Sequence, residues 1–142
     1  MQRFIDIGRL PGMAEQVLGG RFALLDRLGS GGMSEVWRAR DDVLGRTVAV
    51  KILAGRYADD PDSRHRIRDE ARAAAALSHP NVAQVYDYGE SDIAGGRVPY
   101  VVMELVRGGT LQDRLSGGPV PPRFAMRVCA EAFATVCGSC RG

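Results

Sequence analysis

Leu28-Gly-Ser-Gly-Gly-Met-Ser-Glu-Val36, followed along the chain by Val48-Ala-Val-Lys51, decides how this chain is read. Gly29, Gly31 and Gly32 crowd into four positions between apolar flanks. A glycine-rich turn between two strands lets backbone N–H groups approach a phosphate, because no Cβ stands in the way. A lysine on the next strand can then meet the phosphate charge. The stretch therefore reads as a nucleotide-phosphate clamp. A glycine turn taken alone reads equally well as a flexible hairpin, so the surrounding chain has to decide.

Outward from the turn, Phe22 to Leu28 reads as a strand entering it and Ser34 to Arg40 as a strand leaving it. Asp41 to Gly45 makes a turn, and Arg46 to Leu53 a third strand. On that strand Val48, Val50 and Ile52 share one face, while Ala49, Lys51 and Leu53 share the other. Small Ala49 and charged Lys51 thus point the same way, which suits a flat ring beside a phosphate. Asp60-Pro61 supplies an N-cap and a first-turn proline for a helix. Ile67, Glu70, Ala71, Ala74 and Leu77 recur at helical steps, which puts Glu70 on the apolar face or, as the helix alone equally allows, solvated at the edge of that stripe. A carboxylate there needs a partner, and Lys51 is the natural one. Arg64, Arg66, Arg68 and Arg72 read as a solvated face.

Pro80 ends the helix. Val82 to Tyr88 reads as a fourth strand, Gly89 to Arg97 as a polar loop, and Tyr100 to Glu104 as a fifth strand opened by Pro99. Thr110 to Leu115 is a short helix. Residues 123–137 form a helix that reads as apolar almost all round and so expects burial on several sides. Met1 to Gly20 shows no strong period and reads as a mobile arm.

The whole chain has 142 residues, enough for one small domain. Aromatics make up only 6%, so the core must be largely aliphatic. A net charge of +2 is too small to argue for nucleic acid or an anionic membrane. No run of about 18 uninterrupted apolar residues predicts a membrane helix, and no secretory segment opens the chain. The expected address is cytoplasmic. Cys137-Gly-Ser-Cys140 has C-x-x-C spacing but no second ligand pair, so it reads as incidental. His65 and His79 are assigned neither to catalysis nor to metal.

In this order and spacing, the motifs resemble the N-terminal lobe of a eukaryotic-like bacterial serine/threonine protein kinase, over roughly Gly20 to Leu115. Leu28 to Val36 resembles the glycine-rich loop, and Val48-Ala-Val-Lys51 the strand carrying the phosphate-pairing lysine. Glu70 falls where helix C carries its glutamate. His79-Pro80-Asn81 resembles the exit from that helix, and Tyr100 to Val106 the strand and hinge over the adenine. A dinucleotide-binding βαβ unit is disfavoured, because it needs a helix directly after the glycine turn and Ser34 to Arg40 reads as a strand.

The resemblance implies an α+β fold: a five-stranded antiparallel sheet with helix C, plus an incomplete start of the helical C-lobe. It divides the chain into an arm over 1–19, an N-lobe over 20–107 and a C-lobe start over 108–142. It implies ATP binding by Leu28, Gly29, Ser30, Gly31, Gly32, Met33, Ser34, Val36, Ala49, Lys51, Met103, Glu104 and Val106. In that scheme Val36 and Ala49 sandwich the adenine, and Lys51 binds phosphates and pairs with Glu70. Met103 is the gatekeeper, and the backbones of Glu104 and Val106 serve the hinge. Ser34 replaces the third glycine of the usual loop pattern, and Thr110 stands where many relatives carry an acidic ribose ligand. Magnesium is implied by the family, yet no His-Arg-Asp or Asp-Phe-Gly occurs among these residues. Lys51 and Glu70 are then supporting residues without a complete catalytic set, and activity of the chain alone is doubtful. The expected partners are ATP, a protein substrate in the intact family, and a protein docking on the apolar helix 123–137. Nucleic acid and a membrane segment are not expected. The alternative is a non-catalytic nucleotide- or kinase-binding regulatory module.

Overall fold

The computed structural model describes residues 16–93 and 95–139, with 136–139 described by backbone alone. A single antiparallel sheet carries six strands: β1 (Val17–Leu18), β2 (Phe22–Ser30), β3 (Ser34–Asp41), β4 (Arg46–Leu53), β5 (Val85–Ile93) and β6 (Gly96–Met103). Their order across the sheet is β1-β2-β3-β4-β6-β5. Helix α1 (Pro61–Ala75) packs on β4, β5 and β6, while α2 (Leu111–Ser116) and α3 (Pro122–Ser139) follow the last strand.

β4 lies at the centre because its residues are β-branched and apolar on both faces. Val48 and Val50 are fully buried, and Ala49, Ile52 and Leu53 nearly so. α1 begins where expected. The Asp60 carboxylate accepts from the Ser63 N–H at 3.0 Å and from the Ser63 hydroxyl, and Pro61 occupies the first turn. Ile67 and Ala71, one turn apart, bury themselves against the sheet. Burying an isoleucine side chain contributes about 1.5–3 kcal/mol. Arg64 is more than a solvated charge. Its guanidinium donates to the Ala58 and Arg97 carbonyls at 3.0 and 2.7 Å and pairs with Glu90 at 2.8 Å, fastening α1 to β5 and β6.

Three expectations need correction. First, the sheet has six strands rather than five. Gly19 and Gly20 have φ of 56° and 66°, and the Arg21 N–H donates to the Leu18 carbonyl at 3.0 Å. Positive φ at both central residues is the type I′ hairpin turn, so Val17–Leu18 folds back on β2 and buries Leu18. The double glycine is a hairpin, and the sheet begins before residue 20. Residues 1–15 of the expected arm lie outside the described residues.

Second, most of the polar stretch Gly89 to Arg97 is strand. β5 runs to Ile93, β6 starts at Gly96, and Gly95 turns between them with φ 85°. β5 is an edge strand, so polar side chains are tolerated along it. Pro99 lies inside β6, one place beyond the last β4–β6 pair, Ile52 with Tyr100. Its missing N–H removes no ladder bond toward β4.

Third, the helix over 123–137 is not apolar all round. Arg123, Arg127 and Glu131 recur every four residues on α3, and Arg127 pairs with Glu131 at 3.8 Å. The guanidinium groups of Arg114 and Arg127 lie over the Phe124 ring at 5.6 and 6.0 Å. Among the described residues no helix is long and apolar enough to cross a membrane. The protein partner expected on an apolar helix is therefore withdrawn: charges at helical spacing break up that surface. The side chains of Cys137 and Cys140 lie outside the described residues.

Candidate functional site

Residues paired directly across antiparallel strands share a face. Gly29, Val36, Lys51 and Val101 form one such row across β2, β3, β4 and β6. Ala49 pairs with Met103 two places along β4, on the same face. The register thus brings together Val36, Ala49, Lys51 and Met103. The sequence periodicity had joined only Ala49 and Lys51.

α1 approaches this face from the side. Lys51 Nζ donates to Glu70 Oε1 at 2.6 Å. The Lys51 side chain is 24% exposed and that of Glu70 is 64% exposed. Glu70 therefore stands at the edge of the apolar stripe next to buried Ala71. A pair this exposed contributes only about 0.2–1 kcal/mol to stability. Its consequence is positional: it fixes where the ammonium sits.

Gly31-Gly32-Met33 joins β2 to β3 at the end of the ladder nearest this row. The Gly31 N–H donates to the Ser34 carbonyl at 2.8 Å, and the Ala54 N–H to the Met33 carbonyl at 2.8 Å. None of Gly29, Gly31 and Gly32 has a positive φ. A Cβ added at Gly29 or Gly32 would meet nothing within 4 Å, and one at Gly31 only the Ser34 carbonyl at 3.6 Å. Neither backbone strain nor internal packing requires glycine here. What the missing side chains provide is open space against the backbone, as close approach by a ligand requires. Leu28, left out of the ladder by the bulge between Arg27 and Gly29, is exposed, as is Ser30.

β6 leads from Met103 into the hinge. The Glu104 N–H donates to the Gln84 carbonyl at 2.8 Å, and the Gln84 N–H to Glu104 Oε2 at 3.2 Å. The Glu104 amide is thus occupied by Gln84, and Val106 beyond it is exposed. Thr110 caps α2. Its hydroxyl and N–H each lie 2.7 Å from Asp113 Oδ2, and its Oγ1 accepts from the Asp113 N–H at 3.0 Å. These bonds hold the Asp113 carboxyl below the usual carboxylate range and commit Thr110 to the cap rather than to a ribose. His79 Nδ1 lies 3.1 Å from the Asn81 N–H, a turn contact.

Sequence reasoning missed Arg56. Its guanidinium donates to the Gly32 carbonyl at 2.6 Å. Nothing in a lone arginine after a strand signals such a contact, which depends on how the chain turns after β4.

The model of the protein kinase domain matches residues 22–138. The chain belongs to the protein kinase family. It is 50% identical over 116 residues to the serine/threonine-protein kinase PknB of Mycobacterium leprae, covering 81% of this chain and 19% of that protein. It is also 50% identical over 99 residues to PknA of Mycobacterium tuberculosis, covering 69% of this chain and 23% of that protein. A crystal structure of the PknI kinase domain from Mycobacterium tuberculosis superposes with a TM-score of 0.61 at 26% identity, over 78% of this chain and 44% of that one. The chain spans about a fifth of the length of the curated relatives it matches. Sheet and α1 together are the N-lobe of the kinase fold, and α1 is its helix C. Among the described residues no three histidine, cysteine, aspartate or glutamate side chains gather as a metal site.

Proposed function

We propose that this chain binds ATP as the N-lobe of a serine/threonine protein kinase. The observation that carries the reading is Lys51 Nζ held at 2.6 Å from Glu70 Oε1, on the face shared by Val36, Ala49 and Met103 and beneath the glycine turn. In this reading Val36 and Ala49 flank the adenine, and Met103 closes the rear of its slot. The Glu104 carbonyl and the Val106 backbone meet the adenine edge. Residues 28–34 cover the phosphates, and Lys51 takes their charge. Transfer to a protein hydroxyl is proposed for the intact kinase, with protein substrates and magnesium as its partners. No Asp-Phe-Gly, the motif that carries the family's main magnesium ligand, occurs in this sequence. Residues 108–142 are read as the start of the helical lobe. A cytoplasmic placement fits the use of ATP.

Titration of the purified chain with a fluorescent ATP analogue tests the reading. Binding is expected, weakened at least about tenfold by Lys51→Met, since a hydrogen bond to a charged group contributes about 1.5–3 kcal/mol. Equal binding by the variant would refute the site. The chain alone is expected to transfer no labelled phosphate to a generic protein substrate.

A further inference from the structure

The Gly32 carbonyl accepts from Arg56 at 2.6 Å, the Met33 carbonyl from the Ala54 N–H, and the Ser34 carbonyl from the Gly31 N–H. Three successive carbonyls at the turn are thus tied to protein donors. Among the described residues, neither the Gly32 nor the Met33 N–H donates to a backbone carbonyl. A peptide plane points its N–H opposite to its C=O, so engaging the Gly32 oxygen also sets the direction of the Met33 N–H. Carbonyls held away and amides left over make a turn that receives an anion instead of repelling it. Arg56 is itself braced. It belongs to the short 3-10 turn Gly55–Tyr57, and its guanidinium lies 4.8 Å from the centre of the Tyr57 ring. Tyr57 in turn packs against the core.

We propose that Arg56 is a positioning residue for nucleotide: it clasps the glycine turn in its phosphate-receiving form and so raises affinity for ATP. This rests on the ATP reading above. Arg56 sits between β4, which carries Lys51, and α1, which carries Glu70, so one side chain ties the loop to the segment joining both.

The test compares the unaltered chain with Arg56→Met and Arg56→Lys. NMR order parameters of the Gly31 to Ser34 amides report the clasp, and titration with a fluorescent ATP analogue reports its consequence. Arg56→Met is expected to lower the order parameters of the turn and to weaken binding about threefold to tenfold, the scale of one partly exposed charge-assisted hydrogen bond. Arg56→Lys should restore part of both, and the unfolding midpoint should stay unchanged because Arg56 is exposed. Unaltered order parameters in Arg56→Met would overturn the clasp. Looser amides with unchanged affinity would overturn the positioning role. If the unaltered chain binds no nucleotide, the ATP reading and the affinity claim fall together, and the order parameters alone decide whether the clasp exists.

Discussion

Glu70→Gln removes one charge from the Lys51–Glu70 pair and keeps its shape. At 2.6 Å two unit charges attract by about 1.6 kcal/mol in a bulk-water dielectric. Water is the better limit here, because 64% of the Glu70 side chain is exposed. Holding two long side chains in one geometry takes back much of that attraction. The net coupling should be about 0.2–1 kcal/mol. A urea-unfolding cycle of the unaltered chain, Glu70→Gln, Lys51→Met and the double variant measures it. Raising salt from about 0.05 M to about 1 M should shrink it, since exposed charges are screened. Nucleotide binding should respond more strongly than stability. Without Glu70 the lysine samples other rotamers, and affinity for the ATP analogue should fall about threefold to tenfold. Glu70 acts only through Lys51, so the double variant should bind no worse than Lys51→Met. A stability coupling above about 2 kcal/mol would refute the positional account, as would a double variant weaker than Lys51→Met.

Gly89→Ala would place a Cβ 2.5 Å from Tyr100 Oη and 2.6 Å from Cζ. The ring has little room to swing clear, because it stands edge-on to Phe22 at 6.1 Å and its hydroxyl lies close against Gly19, where an added Cβ would also collide with it. A loss of about 1–3 kcal/mol is expected in thermal unfolding, while Gly96→Ala, with only the Ile93 carbonyl at 3.9 Å, serves as the mild control. Asp41, buried and bonded to the Arg21 guanidinium at 2.7 and 2.8 Å, has its carboxyl held at about 2 against an ordinary 3.8, mainly by that arginine. Its contribution, on the order of 1–2 kcal/mol after allowing for the solvent-facing arginine, is complete above pH 3.8 and fades as pH falls toward 2. Acid unfolding of Asp41→Asn should lack that component. Ile67→Ala, emptying a buried position under α1, should cost about 2–4 kcal/mol in urea unfolding; a loss under about 1 kcal/mol would mean that α1 is docked by other contacts.

What could be read from residues alone was what periodicity and special residues encode locally. Asp60-Pro61 announces α1, and alternation on β4 pairs Ala49 with Lys51. Those signals are one-dimensional and local. The hairpin at Gly19-Gly20 was legible as punctuation but not as structure, because a two-residue strand such as Val17–Leu18 has no period to detect. β5 was shortened because its polar residues suit an edge, and edge position is a property of the finished sheet. The shared face of Val36 and Met103 required the register of two ladders, which no single strand contains. Arg56 was invisible for the same reason: its acceptor is a backbone carbonyl, and any residue supplies one. On α3 the deciding signal is local after all: Arg123, Arg127 and Glu131 stand at four-residue spacing in the sequence itself and interrupt its apolar residues.

The weakness of the Lys51–Glu70 contact shows which way cause runs at this site. An exposed pair contributing under about 1 kcal/mol cannot set the place of a fifteen-residue helix. α1 is placed instead by Ile67 and Ala71 in the core and by Arg64 on Glu90 and the Arg97 carbonyl. β4 is placed by burial on both faces. The ammonium and the carboxylate meet because two independently anchored elements bring them together, and the ion pair reports that alignment. The glycine turn has no buried side chain of its own: a Cβ added at Gly29 or Gly32 would meet nothing within 4 Å, and the turn is held by Ala54 and Arg56 from the segment joining β4 to α1. A displacement of α1 would therefore part Lys51 from Glu70 and also pull on the segment that holds the turn. Ammonium and loop should respond together to any force on the helix, because one stretch of chain, Lys51 to Glu70, connects them all.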